Sequence, residues 1–501
     1  MIEKVLQGRN IKQAIRQTVA NKGSSGVDKM PVSALKDYFQ TEQSQLFTQI
    51  INHKYLPKPI RGVEIPKADG KSRLLGVPTV VERTLQQAVS QTIAPMFELD
   101  FHPNSYGFRP QRNAHQAIQQ SQRNINEGYK HIVEIDLKSF FDEVDHAILL
   151  ELIYGKVKCP TTLRLIRLWL RTPIVINGKL TKRRKGTPQG SPLSPLLSNI
   201  LLHELDIFLE GKGQKFVRYA DDFSIYTKSK SKAKNIGNQI YLFLKDKLKL
   251  PINRRKSGIR NPANFQILGH GFTSSFAKGA KGIYQLIVAE KSWKKLKTEI
   301  KEITRKTAPY SFEERIRKLN LLQCGWLNYF RLGNITGKLK AIDGWIRNRI
   351  RYCIWTDWKK PERKRKNLIR LGVSYGKAYA FSRSRKGGWA IAQSPIMGTT
   401  ITLERLRKRG YKCMSEYYQS ISPMFNEPLY MVWSTRVRRY RTSPPYVQWC
   451  ERRTSPEKSG EAVYSMCAQH GHLVSKIPKY SRECKSLTGE LVKPVSKSQG
   501  W

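Results

Sequence analysis

Two different periods of apolar residues divide this chain of 501 residues. Up to about residue 275, short runs of β-branched and aromatic residues alternate with amphipathic stretches, which indicates strands mixed with helices. From residue 291 the spacing is helical, and Trp293, Leu296 and Ile300 would share one face. A second helical face follows, made of Ile316, Leu319, Leu322, Trp326 and Tyr329. The pattern predicts an α+β region and then a helical region, and it fades after about residue 420.

A hairpin is predicted near residue 70. The turn at Asp69–Gly70 lies between alternating runs at 61–67 and 71–77. The arms carry Lys67 and Arg73, well placed to meet a triphosphate or a template backbone, although a solvated basic hairpin would look similar. Apolar residues at helical spacing then predict a buried helix with Val81, Leu85, Ala88, Val89 and Ile93.

A second predicted hairpin holds two adjacent acids at its turn, Asp221 and Asp222, between the apolar runs 216–219 and 223–225. An acidic pair alone is more often a solvated turn. About 80 residues upstream, however, a buried strand is predicted to end at a third acid, Asp136. Three carboxylates on neighbouring strands can bind two Mg²⁺ ions about 4 Å apart, the arrangement for in-line nucleotidyl transfer. The three acids therefore predict a polymerase palm.

The net charge of the chain indicates which class of molecule it binds. Lysine and arginine total 90 against 38 acidic residues, so the formal net charge is +52. A chain this basic repels itself unless a polyanion neutralises it, which favours nucleic acid as the partner. A membrane surface is disfavoured because the sequence has no apolar run of 18 residues. Seven scattered cysteines favour a reducing compartment, and the N-terminus lacks the apolar segment of a signal peptide.

The most basic segment follows a predicted helix at 342–358. That helix interleaves arginines with aromatic residues, and residues 359–370 then hold seven basic residues against one acid. Aromatic and guanidinium groups together suit stacking on bases and contact with phosphates. If this segment only packed its apolar residues into the core and exposed its basic residues to water, the helical spacing of the apolar residues would be explained. The high density of positive charge would not be. The predicted RNA contacts are Arg347, Arg351, Lys359, Lys360, Lys364, Arg365 and Lys366.

The tail beyond residue 420 is basic and has no sustained period. Its composition favours loose packing. A zinc site is disfavoured because no Cys-x-x-Cys pair occurs among the residues that would form it. Those residues are Cys450, Cys467, His470, His472 and Cys484.

Several motifs occur in the order typical of one family. They are Ser105–Pro110, Asp136 with Phe140–Asp142, Thr187–Pro195, Tyr219–Asp222, Lys256–Ser257 and Gln266–His270. With these motifs, and with Cys353–Pro361, Arg383–Trp389 and Ser394–Ile396 later in the chain, residues 1–420 resemble the reverse transcriptase/maturase proteins of group II introns, in the form that lacks an endonuclease domain. The resemblance implies an α+β right-hand polymerase fold, whose fingers and antiparallel palm sheet precede an α-helical thumb/maturase domain. The implied domains are 1–94 (N-terminal extension and fingers), 95–275 (palm with inserted finger elements) and 291–420 (thumb/maturase RNA-binding domain). The basic, poorly patterned tail, 421–501, lies outside the resemblance.

The resemblance also implies roles for single residues. Asp136, Asp221 and Asp222 would bind two Mg²⁺ ions, for which Mn²⁺ could substitute. Phe141 matches the aromatic residue that excludes a ribose 2′-hydroxyl, so dNTPs would be the substrates. The remaining implied roles are contact with the template–dNTP pair for Gln189, contact with the triphosphate for Lys67 and Arg73, and protonation of pyrophosphate for Lys256.

The leading hypothesis is an RNA-directed DNA polymerase that also binds its intron RNA to assist splicing and supports intron mobility. Its partners would be intron RNA, an RNA template with a DNA primer, dNTPs and a DNA target site, in the bacterial cytoplasm and away from membranes. Two alternatives stay open: a splicing maturase without polymerase activity, and a reverse transcriptase recruited to another role such as phage defence. An RNA-directed RNA polymerase is disfavoured by Phe141.

Overall fold

The computed structural model describes residues 1–66, 70, 72–274 and 283–422. Lys67 and the cysteine and histidine positions of the tail lie outside the described residues. The described chain divides into two units. The first unit comprises Met1–Ile300 and Cys324–Leu339; the second comprises Lys301–Gln323 and the described residues from Lys340 onward.

The strands of the described residues belong to three sheets. In chain order they are β1 (Ile60–Pro66), β2 (Ser72–Val77), β3 (His131–Ile135), β4 (Ile174–Ile176), β5 (Lys179–Thr181), β6 (Lys215–Tyr219), β7 (Asp222–Thr227), β8 (Gly258–Arg260), β9 (Gln266–Ile267), β10 (His270–Ser274) and β11 (Tyr284–Val288).

Helices make up most of the rest. Those of the first 300 residues are α1 (Ile2–Leu6), α2 (Gly8–Ala20), α3 (Leu35–Thr41), α4 (Gln43–Ile51), α5 (Val80–Glu98), α6 (Ala114–Asn126), α7 (Phe140–Glu143), α8 (His146–Val157), α9 (Pro160–Arg171), α10 (Ser194–Gly211) and α11 (Lys230–Asp246). Those that follow are α12 (Glu290–Ile303), α13 (Phe312–Phe330), α14 (Thr336–Asp357), α15 (Pro361–Arg370), α16 (Tyr375–Ser382), α17 (Gly388–Ala392), α18 (Pro395–Thr400), α19 (Leu403–Lys408) and α20 (Met414–Ile421).

The central sheet is antiparallel and carries the two predicted acidic strands. Its order is β6-β7-β3-β8, with Ile135 opposite Phe223. A second sheet has the order β2-β1-β4-β5 and includes the hairpin predicted near residue 70, in which Pro66 pairs with Ser72. The third sheet, β11-β10-β9, is also antiparallel. Both predicted hairpins are therefore confirmed.

The core of the first unit joins helices and sheet. Helix α5 begins where the Thr79 hydroxyl accepts a hydrogen bond from the backbone N–H of Glu82. All five apolar residues predicted for its buried face are buried. They join the apolar side chains of α8, α10 and α11 and of the central sheet in one cluster. This cluster fixes the sheet, so the residues at its edge are held by a packed core.

The change to helical structure after residue 290 is confirmed by α12 to α20. Helix α12 buries Trp293, Leu296 and Ile300 as predicted. Helix α13 departs from the prediction at one position, because Tyr329 is 37% exposed and its hydroxyl donates to the carbonyl of Leu268. No helix among the described residues has the length and apolar character of a membrane span.

Candidate active site

The turn between β6 and β7 presents the two adjacent acids. Tyr219 pairs with Asp222, which leaves Ala220 and Asp221 as the two turn residues. Ala220 has φ +58°, a left-handed conformation that is uncommon for a residue with a Cβ atom. Gly107 lies directly against it, since a Cβ atom on Gly107 would be 2.3 Å from the Ala220 nitrogen. The turn therefore has a tight conformation enforced by its surroundings.

A buried ion pair lies beneath this turn. The Arg218 guanidinium donates to both carboxylate oxygens of Asp206, at 2.8 and 2.5 Å, and both side chains are fully buried. It also donates to the side-chain oxygen of Asn199 and to the carbonyl of Ala220. Asn199 in turn donates to the carbonyl of Gly107. Helix α10 thus holds the turn residue Ala220, through Arg218, and also the Gly107 backbone that packs against the turn.

The third acid meets the turn from β3. Because β3 pairs with β7, Asp136 follows the strand at the same end of the sheet as Asp222. The Asn253 side chain donates to a carboxylate oxygen of Asp136 at 2.9 Å, and the backbone N–H of Asp136 donates to the Ser257 hydroxyl. The Lys256 ammonium, well exposed, is 3.9 Å from the Asp136 carboxylate. The structure therefore brings Asp136 and Lys256 together at this sheet end.

The carboxylates at this end of the sheet are partly buried and repel one another. Burial, and then repulsion by Asp221 and Asp136, raises the pKa of Asp222 to about 6, although Asp222 keeps an exposed face. Burial also raises the pKa of Asp221, against the opposing effect of the Arg73 guanidinium. Arg73, predicted on the β1–β2 hairpin, is thus an electrostatic neighbour of the turn.

Oxygen ligands and excess negative charge are what a hard divalent cation requires. In the described part of the chain, no three Asp, Glu, His or Cys side chains are close enough to complete a metal site as they stand. Asp136 and Asp222 nevertheless line one small cavity of about 110 Å³, together with Glu134. The carboxylate oxygens and the repulsion between them fit Mg²⁺.

The two residues predicted to contact the sugar and the base pair, Phe141 and Gln189, lie outside the central sheet. Phe141 belongs to the single turn of α7, where its half-buried ring meets the buried ring of Phe140 edge-on at 5.3 Å. Gln189 lies in the loop before α10, with its side chain partly exposed. The backbone carbonyl of Gln189 accepts a hydrogen bond from the N–H of Gly76 on β2. The loop is thereby attached to the strand that carries Arg73.

In the second unit, the predicted RNA contacts divide into two groups. Arg351 is directed inward, because its guanidinium donates to Asn348 and to the carbonyls of Ile401 and Gly398. Arg347 is half-buried and is an electrostatic neighbour of Tyr411. The hydrogen bonds favour a structural role for Arg351, whereas RNA contact by Arg347 stays a prediction.

The other predicted contacts lie on α15 and just before it. The Lys364 ammonium lies 4.7 Å from the centre of the Trp355 ring. The Arg365 guanidinium lies over the rings of Tyr375 and Tyr379 at 5.6 and 5.8 Å. The exposed positions are Lys359, Lys360 and Lys366. We call these five basic residues (Lys359, Lys360, Lys364, Arg365, Lys366) the α15 basic surface.

Sequence reasoning missed the residues that support the acids. Asp206 and Arg218 stood in apolar runs, and charged residues in such runs are a signal for a buried pair. Asn253 stood beside the predicted Lys256, yet nothing in its spacing indicated contact with Asp136.

Two family descriptions match this chain. Residues 65–272 match the family described as "Reverse transcriptase (RNA-dependent DNA polymerase)". Residues 293–372 match the "Group II intron, maturase-specific domain". The two matches are adjacent and in the order that the motifs predicted. The chain belongs to the group II intron reverse transcriptase/maturase family.

Individual relatives agree with this assignment. Protein YkfC of Escherichia coli K12 is 30% identical over 311 residues, which cover 54% of this chain and 82% of YkfC. The group II intron-encoded protein LtrA of Lactococcus lactis is 32% identical over 321 residues, 50% of this chain and 53% of LtrA. The chain thus spans only about half the length of LtrA. A solved structure titled "Partial Cas6-RT-Cas1--Cas2 complex" is 27% identical, covering 48% of this chain and 42% of its own, and its TM-score of 0.32 is too low to bear on the fold.

The family assignment confirms the main predictions. The chain carries an RNA-directed DNA polymerase domain of the α+β class, followed by a maturase-specific domain that is largely helical. Both domains are of kinds that act on nucleic acid.

Proposed function

We propose that this protein copies RNA into DNA with Mg²⁺ bound by Asp136, Asp221 and Asp222, and that it also binds its intron RNA to assist splicing. The observation that carries the proposal is the convergence of these three acids at one end of the central sheet. Two of them, Asp221 and Asp222, have raised pKa values, because burial disfavours their charged forms and the neighbouring carboxylates repel them. That arrangement, in a reverse transcriptase domain, has the donor chemistry of a nucleotidyl-transfer site.

In the proposed reaction, the primer 3′-hydroxyl loses its proton to water, its oxygen attacks the α-phosphorus of a dNTP, and the bond from that phosphorus to pyrophosphate breaks. Bound Mg²⁺ would lower the pKa of the 3′-hydroxyl and neutralise charge on the leaving group. Asn253 orients the Asp136 carboxylate by donating to one of its oxygens. Arg73 contacts the triphosphate, and the ammonium of Lys256 donates a proton to the departing pyrophosphate.

Substrate choice is assigned to two residues. The Phe141 ring excludes a ribose 2′-hydroxyl, which restricts the enzyme to dNTPs. Gln189 contacts the base pair between the template and the incoming dNTP. Lys67 is proposed to contact the triphosphate beside Arg73.

RNA binding is assigned to the α15 basic surface. When a lysine or arginine side chain packs over an aromatic ring, its aliphatic part is ordered while its charged group can still contact a phosphate. Each phosphate contact releases counterions, so affinity should fall steeply with salt. The proposed ligands of the whole protein are intron RNA, an RNA template with its DNA primer, and a DNA target site. The RNA would supply the splicing chemistry, and the protein would stabilise its folded shape.

The test combines two assays on the same preparation. Extension of a DNA primer on an RNA template should require Mg²⁺ and dNTPs and should be lost in Asp136→Asn, which keeps the size of the side chain. Splicing of the intron RNA at limiting Mg²⁺ should be accelerated by wild type and by Asp136→Asn alike. If wild type accelerates splicing without extending primers, the protein is a maturase without polymerase activity. If it extends primers without affecting splicing, it is a recruited reverse transcriptase.

A further inference from the structure

The short helix α7 cannot hold Phe141 in place through its own hydrogen bonds. It has four residues, and it starts after Ser139, which has φ +49°. A single helical turn closes few backbone hydrogen bonds and is marginal alone. The ring of Phe141 is only half-buried, so packing fixes it incompletely. The position of this residue therefore depends on external contacts.

Those contacts come from the loop that precedes α10. The backbone N–H of Thr187 donates to the carbonyl of Phe141 at 2.6 Å, and the N–H of Gly186 donates to the carbonyl of Val144 at 2.7 Å. Phe141 belongs to the only turn of α7 and Val144 directly follows that turn, and the carbonyls of a last helical turn have no partners within the helix. The loop thus caps α7 directly at Phe141.

Gly186 is required by this close approach. Its φ is +86°, and a Cβ atom there would lie 2.8 Å from the carbonyl oxygens of both Phe141 and Asp142. The buried His146 imidazole fixes the same residue, with Nε2 2.7 Å from the carbonyl oxygen of Gly186. Burial lowers the pKa of His146, so the neutral ring donates from Nε2 to that carbonyl.

The other end of the loop is attached to β2. Gln189 accepts a hydrogen bond from the Gly76 N–H at 2.8 Å. Gly190, with φ +118°, leaves no space for a Cβ atom, which would lie 2.6 Å from the Gly76 carbonyl oxygen. The Ser191 hydroxyl donates to Gln86 on α5, and both side chains are buried. One rigid loop therefore connects the backbone of Phe141 to the backbone beside Gln189.

We propose that Gly186 and His146 are positioning residues for sugar selection, which hold loop 186–190 against the backbone of Phe141 and so set the height of its ring. This inference rests on the proposed role of Phe141. Loop 186–190 also carries Gln189. The same loop would therefore position both the residue that selects the sugar and the residue that contacts the base pair. A displacement of about 1 Å at such a support can change rates by about 100-fold.

The principal test is Gly186→Ala, which forces α7 and the loop apart. The readout is the ratio of kcat/KM for a dNTP to kcat/KM for the matching rNTP on an RNA template. We expect this ratio to fall at least about tenfold, the effect of about one misplaced methylene in a selective pocket. Gly178→Ala is the matched control, because Gly178 has φ +80° but nothing within 4 Å of the added Cβ atom. It carries similar backbone strain and should keep the wild-type ratio.

The His146 variants decide the matter if Gly186→Ala does not fold. His146→Gln retains a donor toward the Gly186 carbonyl and should keep the wild-type ratio, whereas His146→Leu removes the donor and should lower it. A uniform loss of rate for dNTP and rNTP alike in His146→Leu would indicate a merely structural role and overturn the inference.

Phe141→Ala separates this inference from the proposed function. If Phe141→Ala lowers the ratio while Gly186→Ala and His146→Leu do not, Phe141 selects the sugar and the loop does not position it. If Phe141→Ala leaves the ratio unchanged, the proposed role of Phe141 fails, and the inference that depends on it fails too.

Discussion

The two regions assigned to catalysis and to RNA binding handle charge in opposite ways. At the acidic turn, the supporting ion pair of Arg218 and Asp206 is fully buried, and the Arg218 guanidinium also donates to Asn199 and to the carbonyl of Ala220. On the α15 basic surface, cations are exposed or lie over aromatic rings such as Trp355 and Tyr379. Removing one partner of a buried ion pair leaves an uncompensated charge and is strongly destabilising, whereas each exposed charge contributes nearly independently of the others. Single substitutions should therefore be severe at the turn and mild on the surface.

The largest expected effect follows from Arg218→Leu. This change leaves Asp206 buried without its partner, which should cost about 3–5 kcal/mol of stability. It also removes the hydrogen bond to the carbonyl of Ala220, so primer extension should be lost. Chemical denaturation and single-turnover extension measure the two effects.

The double variant Arg218→Leu/Asp206→Leu separates them. It should regain most of the stability, because no unpaired charge remains, but not the extension rate. Full recovery of the rate would show that Arg218 only neutralises Asp206 and does not hold the turn.

Glu82 is a buried acid outside both regions, and within the described ranges of the chain it has no cationic partner like that of Asp206. Burial raises its pKa to about 7, and one carboxylate oxygen accepts from the N–H of Lys58. Because the folded-state pKa exceeds the unfolded value near 4.5, stability should fall as pH rises between those values and stay lower above pH 7. Glu82→Gln should remove this dependence and raise stability above pH 7 by up to about 3 kcal/mol. Parallel pH profiles of unfolding for the variant and wild type would contradict the assignment.

A smaller effect is expected at Asn253. Replacing it with alanine removes the donor that orients Asp136 and should lower the extension rate about 10- to 100-fold, with weaker apparent Mg²⁺ affinity. The control is Asn235→Ala, on the exposed face of α11. A rate loss that high Mg²⁺ does not relieve, or an equal loss in the control, would argue against orientation of a ligand.

The smallest effect per residue is expected on the α15 basic surface. Neutralising Lys364, Arg365 and Lys366 to glutamine should reduce the slope of log affinity against log salt by about 0.7 for each lost contact with single-stranded RNA. Extension of an annealed primer at saturating template should persist. Filter binding over a range of salt concentrations measures the slope, and an unchanged slope would make this a solvated face without RNA contacts.

The spacing of apolar residues along the sequence correctly predicted helix α5 and the strands around the acidic turn. The five apolar residues of α5 are buried because helical spacing puts them on one face. The acidic turn formed because apolar strands flank it, and pairing of β3 with β7 brought Asp136 to the same end.

Contacts between distant residues were not predictable in this way. Arg218 pairs with Asp206 on another element, and His146 reaches Gly186 over 40 residues of sequence. Arg351 shows the converse, since helical spacing among aromatics indicated an RNA contact while its guanidinium turned toward the carbonyl of Ile401. Charge density identifies a binding region, but only tertiary contacts show which of its residues remain available.

We expect the acidic turn to serve nucleotidyl transfer and not RNA binding. Asp221→Ala tests it most directly when single-turnover primer extension and salt-dependent RNA binding are measured on the same folded preparation. We predict no extension above background and RNA affinity within about twofold of wild type, as for a surface substitution. Retained extension, or RNA binding lost together with extension, would contradict the account.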